Sequence, residues 1–196
     1  MVKYLLRFFY FVLTLIFIIL VFLSFIGIET DKFDKLIKSK ANEVNRYFKL
    51  DFQKTKIYLN PTELNIVIKL QNSKILAKEN EIVLSKLDLF LPIKSFFTSD
   101  FLLKRAEVSF ARNDIKDLTK VSNIFLPRII NKKLNKIFHR GKLEGDFIIP
   151  FESDGKIGKD YAFSGKVSNA EINISNNFII KSLTTEITHT GFAKSD

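Results

Sequence analysis

The sequence predicts a mainly β protein of the α+β class: an antiparallel sheet with short amphipathic helices, carried behind one N-terminal transmembrane helix. Three observations predict it. Twenty-one residues from Phe8 to Ile28 carry no charge, apolar side chains recur every second residue in segments between Thr55 and Thr188, and two other stretches show apolar spacings of three and four. The order of these patterns divides the chain into an anchor (1–28), an amphipathic helix with a first β-unit (29–113), a helical insertion (114–140) and a second β-unit (141–196).

Within the apolar run, Tyr10, Thr14 and Ser24 are the polar groups. As a helix the run spans about 31 Å, close to the hydrocarbon thickness of a bilayer. A removable signal peptide has a shorter apolar core and a small-residue cleavage site, and Ser24-Phe25-Ile26-Gly27-Ile28-Glu29 offers none, so the expectation is an uncleaved anchor. Lys3 and Arg7 before the span, against Glu29, Asp31 and Asp34 after it, favour a cytoplasmic N-terminus. Lys32, Lys35, Lys38 and Lys40 oppose that, but long folded segments translocate largely regardless of charge.

After the anchor, Phe33, Leu36, Ile37, Ala41, Val44 and Phe48 make one helical stripe behind a cap at Thr30 or Asp31. Period two then takes over. Ile57 and Leu59 form one strand, and Leu64, Ile66, Ile68 and Leu70 the next. Ile82 and Leu84 lead through a parity slip at Ser85-Lys86, readable as a bulge, to Leu87, Leu89, Leu91 and Ile93, with Pro92 ending the strand. Ala106, Val108 and Phe110 make a fourth strand.

Asp114 caps a helical segment with Ile115, Leu118, Val121 and Phe125. Pro127 starts a second one with Ile130, Leu134, Ile137 and Phe138, and Gly141 is its expected C-cap. Seven basic residues and no acid lie between Asp117 and Glu144, read as a solvated helix face. Period two resumes in Leu143, Gly145, Phe147, Ile149 and Phe151. An Asp154-Gly155 turn leads to Tyr161, Phe163, Gly165 and Val167, then to two further strands, Ala170–Ile174 and Phe178–Ile187. The pattern reaches Thr188 without a cap or turn cluster, so the chain is expected to be the start of a longer protein.

The composition narrows function chiefly by exclusion. An apolar share of 46% with 7 Gly and 4 Pro excludes a disordered or collagenous chain, and the absence of Cys excludes disulfides and thiolate chemistry. The net charge of +10 accompanies an abundance of Lys, Ile, Phe and Asn, residues with A/T-rich codons, and is weak evidence for a polyanionic partner. No nucleotide, metal or hydrolase motif is present. His139 and His189 lack a ligand-spaced partner, the aromatics alternate with aliphatics instead of lying among Arg, and nucleic-acid binding is not expected. The residues themselves therefore offer no candidate catalytic, cofactor or metal site.

A sheet that is apolar on one side must cover that side with helices, a second sheet or a ligand. About forty residues are helical outside the anchor, too few to cover it all. Periodicity alone leaves two solutions open, an ordinary β-sandwich core and a curled open sheet whose concave face holds acyl chains.

The order of parts resembles the start of the AsmA superfamily, the group that includes TamB and YhdP-like proteins. The resemblance rests on the anchor, the stretch from Asp31 to Phe48, and Leu87-Asp88-Leu89-Phe90-Leu91-Pro92-Ile93-Lys94-Ser95-Phe96-Phe97 followed by Lys104-Arg105-Ala106-Glu107-Val108-Ser109-Phe110. Gly141-Lys142-Leu143-Glu144-Gly145 and Tyr161-Ala162-Phe163-Ser164-Gly165-Lys166-Val167 are similar to repeating strand units of the YhdP-like branch. The family often has a Gly where the first helix turns into strand, and Tyr47-Phe48-Lys49-Leu50 has none. The resemblance implies a curved sheet forming an open groove, in a single-pass bacterial inner-membrane protein that carries phospholipids through the periplasm for outer-membrane biogenesis. Ile66, Ile68, Leu87, Leu89, Phe147, Phe163 and Ile172 would line that groove and meet acyl chains. The alternative is an anchored adaptor that binds envelope proteins through strand edges, with its apolar face fully packed.

Overall fold

The computed structural model describes residues 2–44, 48–77, 80–97, 102–122, 136–156, 158, 160–175 and 178–190. Helix α1 (Val2–Phe25) is about 36 Å long, and its Lys3–Phe25 stretch is long and apolar enough to cross a membrane. Two hydroxyls lie within it without breaking it, because Thr14 and Ser24 donate back to the carbonyls of Tyr10 and Leu20 at 2.8 and 2.7 Å. The helix closes on Gly27, with φ 70° and with the Ile26 and Gly27 N–H groups both donating to the Phe22 carbonyl. A Cβ at Gly27 would lie 2.7 Å from the Ile57 carbonyl oxygen and 2.9 Å from the Tyr58 ring, so close approach and positive φ both demand glycine. The next two residues are already strand β1 (Ile28–Glu29), paired with β3 (Lys54–Asn60) by Ile28 opposite Ile57 and Glu29 opposite Lys56. No linker separates the apolar helix from the sheet.

The described residues form one open ten-stranded sheet whose pairs are antiparallel throughout. Its main path runs β1, β3, β4 (Asn65–Gln71), β6 (Asn80–Pro92), β7 (Arg105–Asp114), β8 (Phe138–Pro150), β9 (Ala162–Ser175) and β10 (Phe178–Thr190). Two shorter strands, β2 (Phe48–Asp51) and β5 (Lys74–Ala77), extend β3 and β4 beyond a bend. The register is the same on either side of it, Asp51 facing Lys74 and Lys54 facing Gln71.

That bend belongs to a crease crossing the sheet. Along it the apolar positions change phase: Phe52 gives way to Thr55, Leu70 to Ser73, Leu84 to Leu87, Val167 to Ala170 and Ile180 to Leu183. Register shifts fall between Leu84 and Lys86, Phe110 and Asn113, and Arg140 and Lys142, and positive φ occurs at Asn72, Gly141, Asn169 and Ser182. An extra residue in a single strand would turn its apolar side outward; extra residues in consecutive strands bend the sheet and leave one face apolar. Asn113 closes the gap that the crease opens between β6 and β7. Its side-chain amide donates to the Val83 carbonyl at 2.9 Å and its oxygen accepts from the Val83 N–H at 3.0 Å, replacing a lost rung of the ladder.

Among the described residues three helices follow α1: α2 (Asp34–Val44), α3 (Ile93–Phe97) after Pro92, and α4 (Ile115–Ser122), whose first turn is held by Asp114 Oδ1 accepting from the Lys116 N–H at 2.9 Å. Helix α2 buries Ile37 among Leu50, Phe52, Leu70, Ile82 and Leu84, and α4 brings Val121 to the same core. Burial of that kind stabilises by about 1.5–3 kcal/mol per large side chain.

The structure corrects several expectations. Leu64 is a turn residue with φ 52° and 66% exposure, since the four residues 61–64 are needed to reverse the chain. Phe138 begins β8, and Gly141 lies inside that strand instead of capping a helix, where a Cβ would come within 2.9 Å of Ala170 Cα and of Ile115 Cδ1. The segments around Phe163 and Ile172 are one strand, β9, creased at Asn169. The remainder of the second helical segment, with Arg128, Lys132 and Lys133, lies outside the described residues.

Removing the Asn113 amide leaves both backbone groups of Val83 without their strand substitute. Asn113→Ala is expected to lower unfolding stability by about 1–3 kcal/mol and to accelerate amide exchange at Val83, measured by denaturant titration and hydrogen exchange in detergent; unchanged protection at Val83 would contradict the assigned role.

Candidate functional site

Cross-strand partners in an antiparallel sheet project to the same side, so the register defines each face. One row begins at the membrane helix and runs Ile28, Ile57, Ile68, Leu89, Ala106 and Ile149. The next runs Thr55, Leu70, Leu87, Val108, Phe147 and Phe163. A third joins Leu59, Ile66 and Leu91. All seven residues expected from the sequence to line an apolar face therefore share one side of the sheet, six on the β1 side of the crease and Ile172 beyond it.

Their surroundings differ along the sheet. Ile68, Leu87 and Leu89 are buried in the same core as Ile37 of α2 and Val121 of α4. Ile66, Phe147, Phe163 and Ile172 are half-buried. Ile172 packs with Leu143 and Leu183 around Ile115, Val167 and Ala170. Cover is uneven and thin at the β10 end: Ile68 of β4 and Val167 and Ala170 of β9 are 2%, 3% and 0% exposed, against 37% for Ile187 of β10 and 49% for Ile28 of β1. Phe147 and Phe163 pair ring to ring at 6.0 Å between centroids, with Tyr161 at 6.1 Å from Phe147, an aromatic platform near the thin end.

The opposite face is largely polar, with apolar exceptions at the buried Val67 and Phe90 and the exposed Ile148. Tyr58, Val67, Phe90 and Arg105 form a cross-strand row, and Phe90 is buried because the Arg105 guanidinium lies 4.1 Å from its ring centroid. Arg105 is held there by Glu107 at 3.1 Å and Glu63 at 3.5 Å. Beside this row Lys86 bonds Glu107 at 2.7 Å and lies 3.6 Å from Asp88. Along β6 to β10 the polar side opens into a depression of about 450 Å³, edged by Ser109, Asp146, Ser164 and Lys166, in which the Ser109 hydroxyl donates to Asp146. His139 lies within 3.5 Å of the Asn173 amide nitrogen.

Two charged groups on this face are displaced from their ordinary ionisation. Burial, reinforced by the nearby Glu107 carboxylate, raises the Asp88 carboxyl, and the opposing pull of Lys69 and Lys86 does not cancel it. Lys86 is raised chiefly by its hydrogen bond to Glu107. The register finds a wet and a greasy side as the alternation foretold. The salt-bridged row covering Phe90 was not legible, because Arg105 stands fifteen residues from Phe90 and meets it through the β6–β7 register.

These features define a class: an open antiparallel sheet with one apolar face, joined directly to a single helix of membrane-spanning length. Comparison of the chain with protein-family models, with curated proteins and with solved structures finds no match.

Because the folded-state Asp88 carboxyl titrates above its unfolded counterpart, its ionisation penalises the fold. The penalty is absent below the ordinary carboxylate range and grows as pH rises through the raised value. Wild type is accordingly expected to lose stability relative to Asp88→Asn as pH rises above the ordinary carboxylate value of about 4. Chemical denaturation of both proteins across that rise measures it; a difference that stays constant, or shifts in favour of wild type, excludes the assignment.

Proposed function

We propose that the chain is an inner-membrane-anchored conduit element whose apolar sheet face takes up phospholipid acyl chains, with its sheet in the periplasm and its N-terminus in the cytoplasm. One observation carries the reading. The apolar face starts at Ile28, three residues beyond Phe25, the last residue of a membrane-length helix, stays in phase across the crease, and is left half-buried at Phe147 and Phe163 and exposed at Ile187. A hydrocarbon chain leaving the bilayer beside α1 meets this side of the sheet without crossing a polar segment. Each methylene taken from water onto it contributes about 0.8 kcal/mol. Contact would fall on Ile66, Phe147, Phe163 and the far end of the row, since Ile68, Leu87 and Leu89 are occupied with α2 and α4. The likeness of the part order to the AsmA superfamily points the same way. The work is non-covalent and uses no cofactor.

A second reading, an anchored adaptor, draws on β10, whose thirteen residues have their outer edge unpaired among the described residues. A photo-crosslinking residue separates the two. At Phe163 or Phe147 it is expected to capture lipid, and at Lys166 on the polar face it is not, with adducts read by mass spectrometry of protein taken from membranes. Phe163→Glu should reduce co-purifying lipid to less than half. Protein adducts along β10 with no lipid adduct at Phe147 or Phe163 would establish the adaptor and end the conduit reading.

A further inference from the structure

We propose that Lys56, Lys69 and Tyr58 hold the headgroup of an anionic phospholipid in the bilayer that contains α1. The inference rests on α1 lying in a membrane, and it stands whether or not the apolar face carries acyl chains, because these three residues lie on the polar side.

The join between helix and sheet sets their position. Strand β1 follows α1 after two residues and pairs Glu29 with Lys56, and the Tyr58 ring lies 2.9 Å from where a Gly27 Cβ would be. The end of the apolar span and this corner of β3 and β4 are therefore at one level, the level of the headgroups. Tyrosine and lysine at that depth place an amphipathic ring and a cation in the boundary layer.

The cross-strand row there reads Glu29, Lys56, Lys69 and Asp88, with its two like charges side by side at the centre. Lys56 and Lys69 are direct cross-strand partners, and like charges so placed destabilise a sheet. Both ammonium groups gather over one ring, with Nζ 5.5 and 4.9 Å from the Tyr58 centroid. The neighbouring carboxylates do not resolve the repulsion. Glu29 bonds Lys54 at 3.3 Å, and Asp88 is 3.9 Å from Lys69 while shared with Lys86 at 3.6 Å. Lys56 has no carboxylate partner among the described residues. A phosphate between the two ammonium groups removes the repulsion and gives Lys56 its counter-charge. At a bilayer surface the available phosphate belongs to lipid, and a net negative headgroup adds attraction of roughly fivefold per lysine.

The test uses the full chain in nanodiscs of phosphatidylcholine with a minority of phosphatidylglycerol, the lipid retained beside the protein being counted by native mass spectrometry. Wild type is expected to enrich phosphatidylglycerol severalfold, Lys56→Gln and Lys69→Gln each to lose two- to fivefold of that preference, and the double variant to lose it altogether. Lys166→Gln and Lys181→Gln, on distant strands, leave it intact. In pure phosphatidylcholine the double variant should unfold no earlier than wild type, which shows that it folds. Saturation of the site by millimolar inorganic phosphate in phosphatidylcholine discs, read from the Tyr58 ring resonances, would assign it to free phosphate and overturn the lipid proposal. Insertion without phosphatidylglycerol enrichment, or enrichment that ignores both lysines, overturns this inference alone. A chain that stays in solution without lipid overturns the membrane reading as well.

Discussion

The two-residue period of the pleat, kept in phase across every strand junction from β1 to β10, is the constraint on which the rest of the structure depends. A slip of one residue in one strand would turn its leucines and phenylalanines to water and its lysines to the core. The sheet slips repeatedly, but along a single crease, so that Phe52, Ser73 and Leu84 on one side of the bend and Thr55, Leu70 and Leu87 on the other all belong to the same buried surface. Bending and sidedness are thereby separated. The crease leaves the faces unmixed, so that α2 and α4 pack on one of them, and Asn113 supplies the ladder bonds that the register shift removes.

Sidedness acquires functional meaning through the Gly27 joint. A flexible linker after α1 would let the sheet adopt any attitude to a membrane. Here the helix C-terminus is capped, and the following two residues are held in the ladder, with the Thr30 N–H also bonded to the Thr55 carbonyl at 3.1 Å. The two faces consequently arrive at the end of the span as different chemical surfaces: Ile28 opens the apolar row, and Glu29, Lys56 and Tyr58 open the charged one. The proposed conduit for tails and the proposed contact for headgroups would be complementary uses of one edge.

The sequence carried much of this. Alternation located the long strands and the residues that share their apolar face, because burial on one side of a pleat leaves a period-two record in every strand. The uncharged run from Phe8 to Ile28 pointed to the membrane-length helix, though that helix begins at Val2 and ends at Phe25, and Ile28 is already strand, paired with Ile57; the Ser85-Lys86 phase slip disclosed one point of the crease. Other parts left no such record. Strands β1, β2 and β5 are too short for a period to declare itself, and Gly141 looked like a helix stop because a glycine demanded by close packing against Ala170 and Ile115 is indistinguishable in sequence from one demanded by a cap. The difference in cover between Ile68 and Ile187 was also hidden, since both are isoleucines on the same apolar face.

What the amino-acid sequence determined by itself was local and periodic: which residues of the long strands face together, and that an apolar helix of membrane-spanning length stands near the N-terminus. These follow from backbone geometry and the solvation of individual side chains. Only the tertiary structure decided which phase slips align into a crease, which half of the apolar face α2 and α4 occupy, and which charges meet across strands. Lys56 and Lys69 are thirteen residues apart and become neighbours solely through the β3–β4 register, so their repulsion exists only once the sheet is assembled.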